Sequence, residues 1–171
     1  MASSGTVTNN FNVGTVTEGS SYSLGNIVNG VFEYTGNSVL ASNGSLLSGE
    51  NSAVYLNGSN VTVNPGANGI AVIALNGQYS GLTPLPAGMT AVIDGENNGT
   101  IIVGADSVGV YGKNGARLSN KGSITTGSNS AALMSSGTNS SVVNSGEITV
   151  GENSQGIYLK DGADTENKSS G

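Results

Sequence analysis

Apolar residues in this chain come in short clusters separated by Gly, Asn, Ser and Thr, and from Asn97 to Asp164 the clusters recur. Each recurrence holds three strand-like pieces. The first is Ile101–Val103, which returns as Ile148–Val150. The second is Val108–Tyr111, which returns as Gln155–Leu159. The third is Ala116–Ser119, matched by Ser141–Val143. None of these pieces has the length or the three-to-four-residue period of an amphipathic helix. Four columns, Gly99/Gly122/Gly146, Ile101/Ile124/Ile148, Gly104/Gly127/Gly151 and Ser107/Ser130/Ser154, all step by 23 and then 24 residues.

A period in the low twenties with short strands inside it is the signature of a solenoid. One unit cannot bury its own aliphatic side chains, whereas stacked units can, because each strand pairs with its copy one coil away. The pattern therefore predicts an all-β parallel β-helix of 23–24 residues per coil, with Ile101, Ile124 and Ile148 in one interior column. At a strand spacing of ~4.8 Å the chain makes about seven coils, a rod roughly 30 Å long. Gly, Asn, Ser and Asp fall between the strands, where turns favour residues that tolerate left-handed angles. Ser, Thr, Asn and Gly are also expected on the outside, because stacked like charges repel and only 9% of the residues are charged.

The chain reads as one domain over residues 1–171, and the earlier coils are less regular. Val7, Phe11, Val13 and Val16, then Ile27, Val31 and Val39, alternate with polar residues as short strands do. Gly49-Glu50-Asn51-Ser52-Ala53-Val54-Tyr55-Leu56 matches Gly151–Leu159 with one residue fewer. Residues 77–96 break the rhythm. Pro84 and Pro86 cannot sit inside a central ladder, so Gln78–Gly88 is expected to leave the stack as a loop or to kink it, with Met89–Ile93 returning. Asn167-Lys168 repeats Asn120-Lys121, which places the start of another coil at the end of the sequence. Met1-Ala2-Ser3-Ser4-Gly5 lacks the basic and apolar run of a signal peptide. Together these features lead to the expectation of a segment of a longer solenoid, with an uncapped final coil.

Charge and composition narrow the chemistry. The formal net charge is −6, and residues 1–112 hold no Lys or Arg. Such a chain offers no footprint for nucleic acid. It contains no Cys and no His, which removes thiol and imidazole catalysis and the usual zinc ligands. No apolar run approaches a membrane-spanning helix, so this segment is not expected to insert into a membrane. No cofactor is implied.

Three groups of side chains merit chemical attention. Asp106, Glu152, Glu50 and Asn153 sit in turns that could offer oxygen ligands to calcium, but the glycine-rich calcium-binding β-roll pattern is absent and a turn-forming role accounts for them. Asp94 and Glu96, two apart near Asn97, could be imagined as a carboxylate pair for glycoside cleavage. An exposed Asp-Gly-Glu-Asn turn explains them more simply, so no catalytic residue and no metal ligand is assigned. Tyr111, Met134 and Tyr158 form one column, with Lys113, Ser136 and Lys160 two places on. If Val110, Leu133 and Ile157 point inward, alternation puts the two tyrosines outside. There, with Lys113 and Lys160, they make a candidate surface for sugar rings or a protein partner. The opposite parity would bury them over Gly109, Ala132 and Gly156.

The units Gly146–Ala163 and Gly99–Ala116 resemble the repeats in the passenger regions of large fusobacterial-type (type V) autotransporter adhesins. In those, an Asn/Gly turn, Ile-Thr-Val-Gly, Ser-x-Gly-Ile-Tyr and Lys-x-Gly-Ala recur. The likeness is good over Asn97–Ala163, partial over Gly36–Ala74 and weak before that. It implies a right-handed parallel β-helix at the surface of a Gram-negative cell, held to the outer membrane by a barrel that this chain lacks. It also implies adhesion to a host-cell or bacterial surface protein or glycan, with a part in virulence. The shared positions are structural, so no binding residue is carried over. The expected function is thus a non-enzymatic adhesin segment, a rigid stalk and display scaffold. A carbohydrate-active β-helix enzyme or phage-type fibre, and a stalk with no ligand, are the alternatives.

Overall fold

The computed structural model describes residues 6–9, 13–16, 25–28, 31–34, 38–40, 45–50, 52–56, 62–75 and 94–167, with side chains at 34, 47–50, 52–56, 67–75 and 94–165. Within them the strands follow one another in threes. The first coil holds β1 (Thr6–Asn9), β2 (Val13–Val16) and β3 (Gly25–Val28). The second holds β4 (Val31–Tyr34), β5 (Ser38–Leu40) and β6 (Ser45–Glu50). The third holds β7 (Ala53–Leu56), β8 (Thr62–Gly66) and β9 (Ile70–Leu75). The fourth is β10 (Gly95–Asn97), β11 (Thr100–Val103) and β12 (Val108–Lys113). The fifth is β13 (Arg117–Asn120), β14 (Ser123–Thr126) and β15 (Ala131–Ser136). The sixth is β16 (Ser141–Asn144), β17 (Glu147–Thr149) and β18 (Gln155–Lys160), and β19 (Asp164–Asn167) opens a seventh.

Strands of one coil do not pair with each other; each pairs with its counterpart one coil away. This gives three parallel sheets, ordered β1-β4-β7-β10-β13-β16-β19, β2-β5-β8-β11-β14-β17 and β3-β6-β9-β12-β15-β18. The architecture is a parallel β-solenoid. Ile101 lies in register with Ile124, and Ile124 with Ile148, so the expected aliphatic column exists. Parallel columns run through Leu47, Val72, Val110, Leu133 and Ile157 and through Val54, Gly95, Leu118 and Val142. Ile101, Val110, Leu118 and Leu133 are fully buried. Each such side chain contributes about 1.5–3 kcal/mol by leaving water. Gly95 and Gly112 are small for a reason: a Cβ on either would stand 3.1 Å or less from the Leu118 side chain, which fills the space they leave.

The corners hold the coils together by other means than expected. The repeated glycines of the first and third columns have ordinary backbone angles. Their role is close stacking: a Cβ on Gly122 would lie 2.0 Å from the Gly99 carbonyl oxygen, and one on Gly146 would lie 2.1 Å from that of Gly122. Left-handed angles fall instead on Asn68, Asp106, Asn129 and Asn153, and at the next corner on Asn114, Asn139 and Asp161. Asn and Asp tolerate that region best among residues with a side chain.

Polar columns are not confined to the outside either. Asn97, Asn120 and Asn144 are buried, as are Ser107 and Ser130. The Ser130 hydroxyl accepts from the Ser107 amide at 3.1 Å and donates to the Ser128 carbonyl at 2.9 Å, and Ser154 repeats this for the Ser130 amide at 3.0 Å. These hydroxyls fasten one coil to the next. They recur because buried backbone donors at each corner need an acceptor.

One reading of the early chain needs correction. Gly49–Leu56 does not occupy the place of Gly151–Leu159. β7, which carries Tyr55, lies in the first sheet beside β10, whereas Tyr158 lies on β18 in the third. A turn followed by aliphatic–Tyr–aliphatic is a local pattern that serves at more than one corner. The stretch Gln78–Gly88 lies outside the described residues, but the stack is continuous across the 77–96 interval: β7 pairs with β10, β8 with β11 and β9 with β12. The last three residues before Asn98 are themselves a strand of the first sheet.

At the far end β17, β18 and β19 are the last strands of their sheets. Ile148, Ile157 and Leu159 are only partly buried there. Among the described residues, neither a helix nor a folded-back strand covers them.

Candidate functional site

The outer face of the third sheet carries the sequence candidates. On β12 the Val110 side chain is fully buried, and so is that of Leu133 on β15. Alternation then turns Tyr111, Met134 and Tyr158 outward. Tyr111 pairs in register with Ile73 on one side and Met134 on the other, and Met134 pairs with Tyr158. Tyr158 is 37% exposed, and Tyr111 and Met134 are half-buried. The two rings therefore share one outward row, separated by a methionine.

The lysines belong to the same face but not to one continuous row. Lys113, Ser136 and Lys160 are register neighbours. Ser136 is buried and donates its hydroxyl to Asp161 Oδ2 at 3.0 Å. Lys160 lies 3.8 Å from the same carboxylate in an exposed pair, a contact of little energetic weight. Lys113 and Lys160, two strand spacings or ~10 Å apart, are both exposed.

Beside the aromatic row runs an open groove of about 410 Å³. Asp106, Asn129 and Asn153 form one wall, Val108, Ala131 and Gln155 the floor, and Met134 the far wall. The wall residues are the left-handed turn positions, at φ of 54°, 53° and 54°. This conformation stacks their side chains one above another at the rim of the sheet. All three are exposed. The recurring triplets Ala105-Asp106-Ser107, Ser128-Asn129-Ser130 and Glu152-Asn153-Ser154 carry this row in the sequence. They announce a turn, and only the fold shows that the turn borders the Tyr–Met–Tyr face.

The carboxylates Asp94 and Glu96 are placed otherwise than the sequence suggested. They are buried, not in an exposed turn. Glu96 sits in β10 on the outer side of the first sheet, in register with Tyr55 and Ser119. Its carboxylate meets Lys121 Nζ at 2.9 Å and accepts from Asn98 Nδ2 at 2.7 Å. Asp94 Oδ2 accepts from the Arg117 backbone amide at 2.7 Å. Burial, then the nearby Glu96 and then Asp94, push the Tyr55 phenol well above its ordinary value. Strand pairing brings Glu96 and Lys121 together across one coil, a contact that residue spacing alone does not display. Both acids are thus engaged in holding β10 to its neighbours.

Among the described residues no cluster of three or more acidic groups could hold a metal ion. Asp106 and Asn153 act as left-handed turn residues, as their place in the repeat suggested. Glu50 lies elsewhere, in the column of Leu75 and Lys113. Comparison of the chain with protein-family models, with curated proteins and with solved structures gives no match.

Proposed function

We propose that this chain is a non-enzymatic segment of a bacterial surface adhesin of the autotransporter type. In this reading it is a rigid β-solenoid that spaces and displays a binding face for a host-cell or bacterial surface glycan or protein. The observation that carries the proposal is the pairing of a continuous three-sheet stack with an outward Tyr111–Met134–Tyr158 row along it. A rod whose buried corners are spent on coil-to-coil bonding is suited to bear length, and its side face is what remains for contact. Placement at the outer surface of a Gram-negative cell rests on the repeat resemblance described above.

Glycan-cleaving chemistry has weaker support, because Asp94 and Glu96 are buried and committed to Arg117, Lys121 and Asn98. The test is a binding screen of the whole chain against cultured host cells, bacterial cells and immobilised glycans, with a parallel assay for release of reducing ends. Saturable binding without sugar release is expected. Loss of polysaccharide on incubation would favour the enzyme, and absence of any binding would leave a stalk.

A further inference from the structure

The lining of the groove beside the aromatic row recurs over three successive coils, and that period points to a class of ligand. We infer that it binds a linear, neutral β-1,4-linked glycan lying parallel to the solenoid axis, with one sugar unit per coil. This deepens the adhesive reading above and rests on it.

Three rungs make the site: Asp106 with Tyr111, Asn129 with Met134, and Asn153 with Tyr158. Met134 lines the groove opposite the polar wall, with an apolar or amide floor between, and Tyr111 and Tyr158 extend its row by register on either side. Successive rungs are one strand spacing apart, ~4.8 Å. Successive units of an extended β-1,4-linked pyranose chain advance by slightly more than that length and are turned over relative to one another, so alternate sugars would present like faces to Tyr111 and Tyr158, which stand two coils apart. An extended peptide rises ~3.3 Å per residue and would fall out of step. A peptide also gains most of its affinity at a sheet edge, and β15 is paired on both sides. Nucleic acid is disfavoured by Asp106 and by the net charge of −6.

The chemistry of the wall fits hydroxyl groups. The left-handed turn positions need only a backbone that tolerates φ near +54°, which glycine would supply. The side chains of Asp106, Asn129 and Asn153 are exposed and, among the described residues, serve no coil-to-coil bond; the backbone amides and the Ser column make those. An amide offers both donors and an acceptor, the complement of a sugar's vicinal hydroxyls. Across the groove, Tyr and Met present flat or polarisable apolar surface to the C–H face of a ring. Ala131 makes the floor lowest at the middle rung, where a ring can sit closest to the sheet.

The test is calorimetric titration of the whole chain with glucose and N-acetylglucosamine oligomers, β-1,4-linked, of one to six units. Affinity should rise about tenfold per added unit up to three and then level off, each step being worth ~1.4 kcal/mol. Asn129→Gly keeps the turn and removes the amide, so it should weaken trimer binding several-fold with an unchanged melting temperature. Met134→Tyr completes the ring row and should strengthen it. Length-independent binding, or an affinity that neither variant moves, would overturn the inference. Binding to cells without binding to oligomers would overturn it while leaving the adhesive role intact. Binding to oligomers without binding to any cell would sustain it and remove that role.

Discussion

Asn97 donates through Nδ2 to Oδ1 of Asn120 at 2.8 Å, across 23 residues of sequence, and Asn120 does the same to Asn144 across 24. The three amides lie inside the stack, where water cannot replace a lost partner. Asn97 Oδ1 also accepts from the Gly99 amide at 3.0 Å, so the row ties the corner to the core.

Asn120→Ala should therefore be costly. It removes two buried amide–amide bonds, the one to Asn144 Oδ1 and the one from Asn97 Nδ2, a loss of about 2–4 kcal/mol. Thr125→Ala, at an exposed place on β14, should change stability by less than ~0.5 kcal/mol. Urea denaturation of the two variants gives the comparison.

Ser135 predicts the opposite sign. It is fully buried in the inner column between Gly112 and Leu159, and among the described residues its hydroxyl finds no hydrogen-bond partner. Ser135→Ala removes an unsatisfied polar group with little change in volume. Stability should rise by about 1 kcal/mol, seen as an increase in the urea midpoint. A loss of stability would mean that the hydroxyl has a partner.

How far the sequence revealed this architecture depended on which residues repeat. Ile101, Ile124 and Ile148 could be read as a stack, because a uniform step in four columns has few other physical causes. The same spacing could not say which polar columns were interior. Asn97 and Ser107 look like turn residues in sequence, whereas Asn97 ends β10 and both side chains fold inward. Gly49–Leu56 reads as the wrong corner because its residues recur without their register. Asp94 and Glu96 read as solvated, because the sequence does not display the pairing of β10 with β7 and β13 or the contacts to Arg117, Lys121 and Asn98. The outward Tyr row followed from alternation once Val110 was placed inside, but the neighbouring Asp106–Asn129–Asn153 wall needed the backbone angles.

Tyr55 gives a pH dependence with a definite sign. Its folded phenol titrates above the ordinary value of about 10, because burial and the carboxylates of Glu96 and Asp94 oppose the phenolate. Above that ordinary value the unfolded chain releases the proton and the folded chain keeps it, so stability is full below it and falls as pH rises through the folded value. Denaturation midpoints should drop between about pH 10 and 11.5, and the drop should be smaller in Tyr55→Phe. Equal slopes for the two proteins would show that other groups control the alkaline limit.

Coil stacking itself is tested most directly by cross-linking. The chain has no cysteine of its own, and Ile102, Thr125 and Thr149 are exposed register neighbours on β11, β14 and β17. Adjacent partners stand ~4.8 Å apart and alternate ones ~10 Å, while a disulfide spans about 4.4–6.8 Å between Cα atoms. Under mild oxidation of the folded protein, the pairs Ile102→Cys with Thr125→Cys and Thr125→Cys with Thr149→Cys should close in high yield. The pair Ile102→Cys with Thr149→Cys should stay reduced. Closure of the distant pair, or failure of both adjacent ones, would contradict the solenoid and everything built on its face.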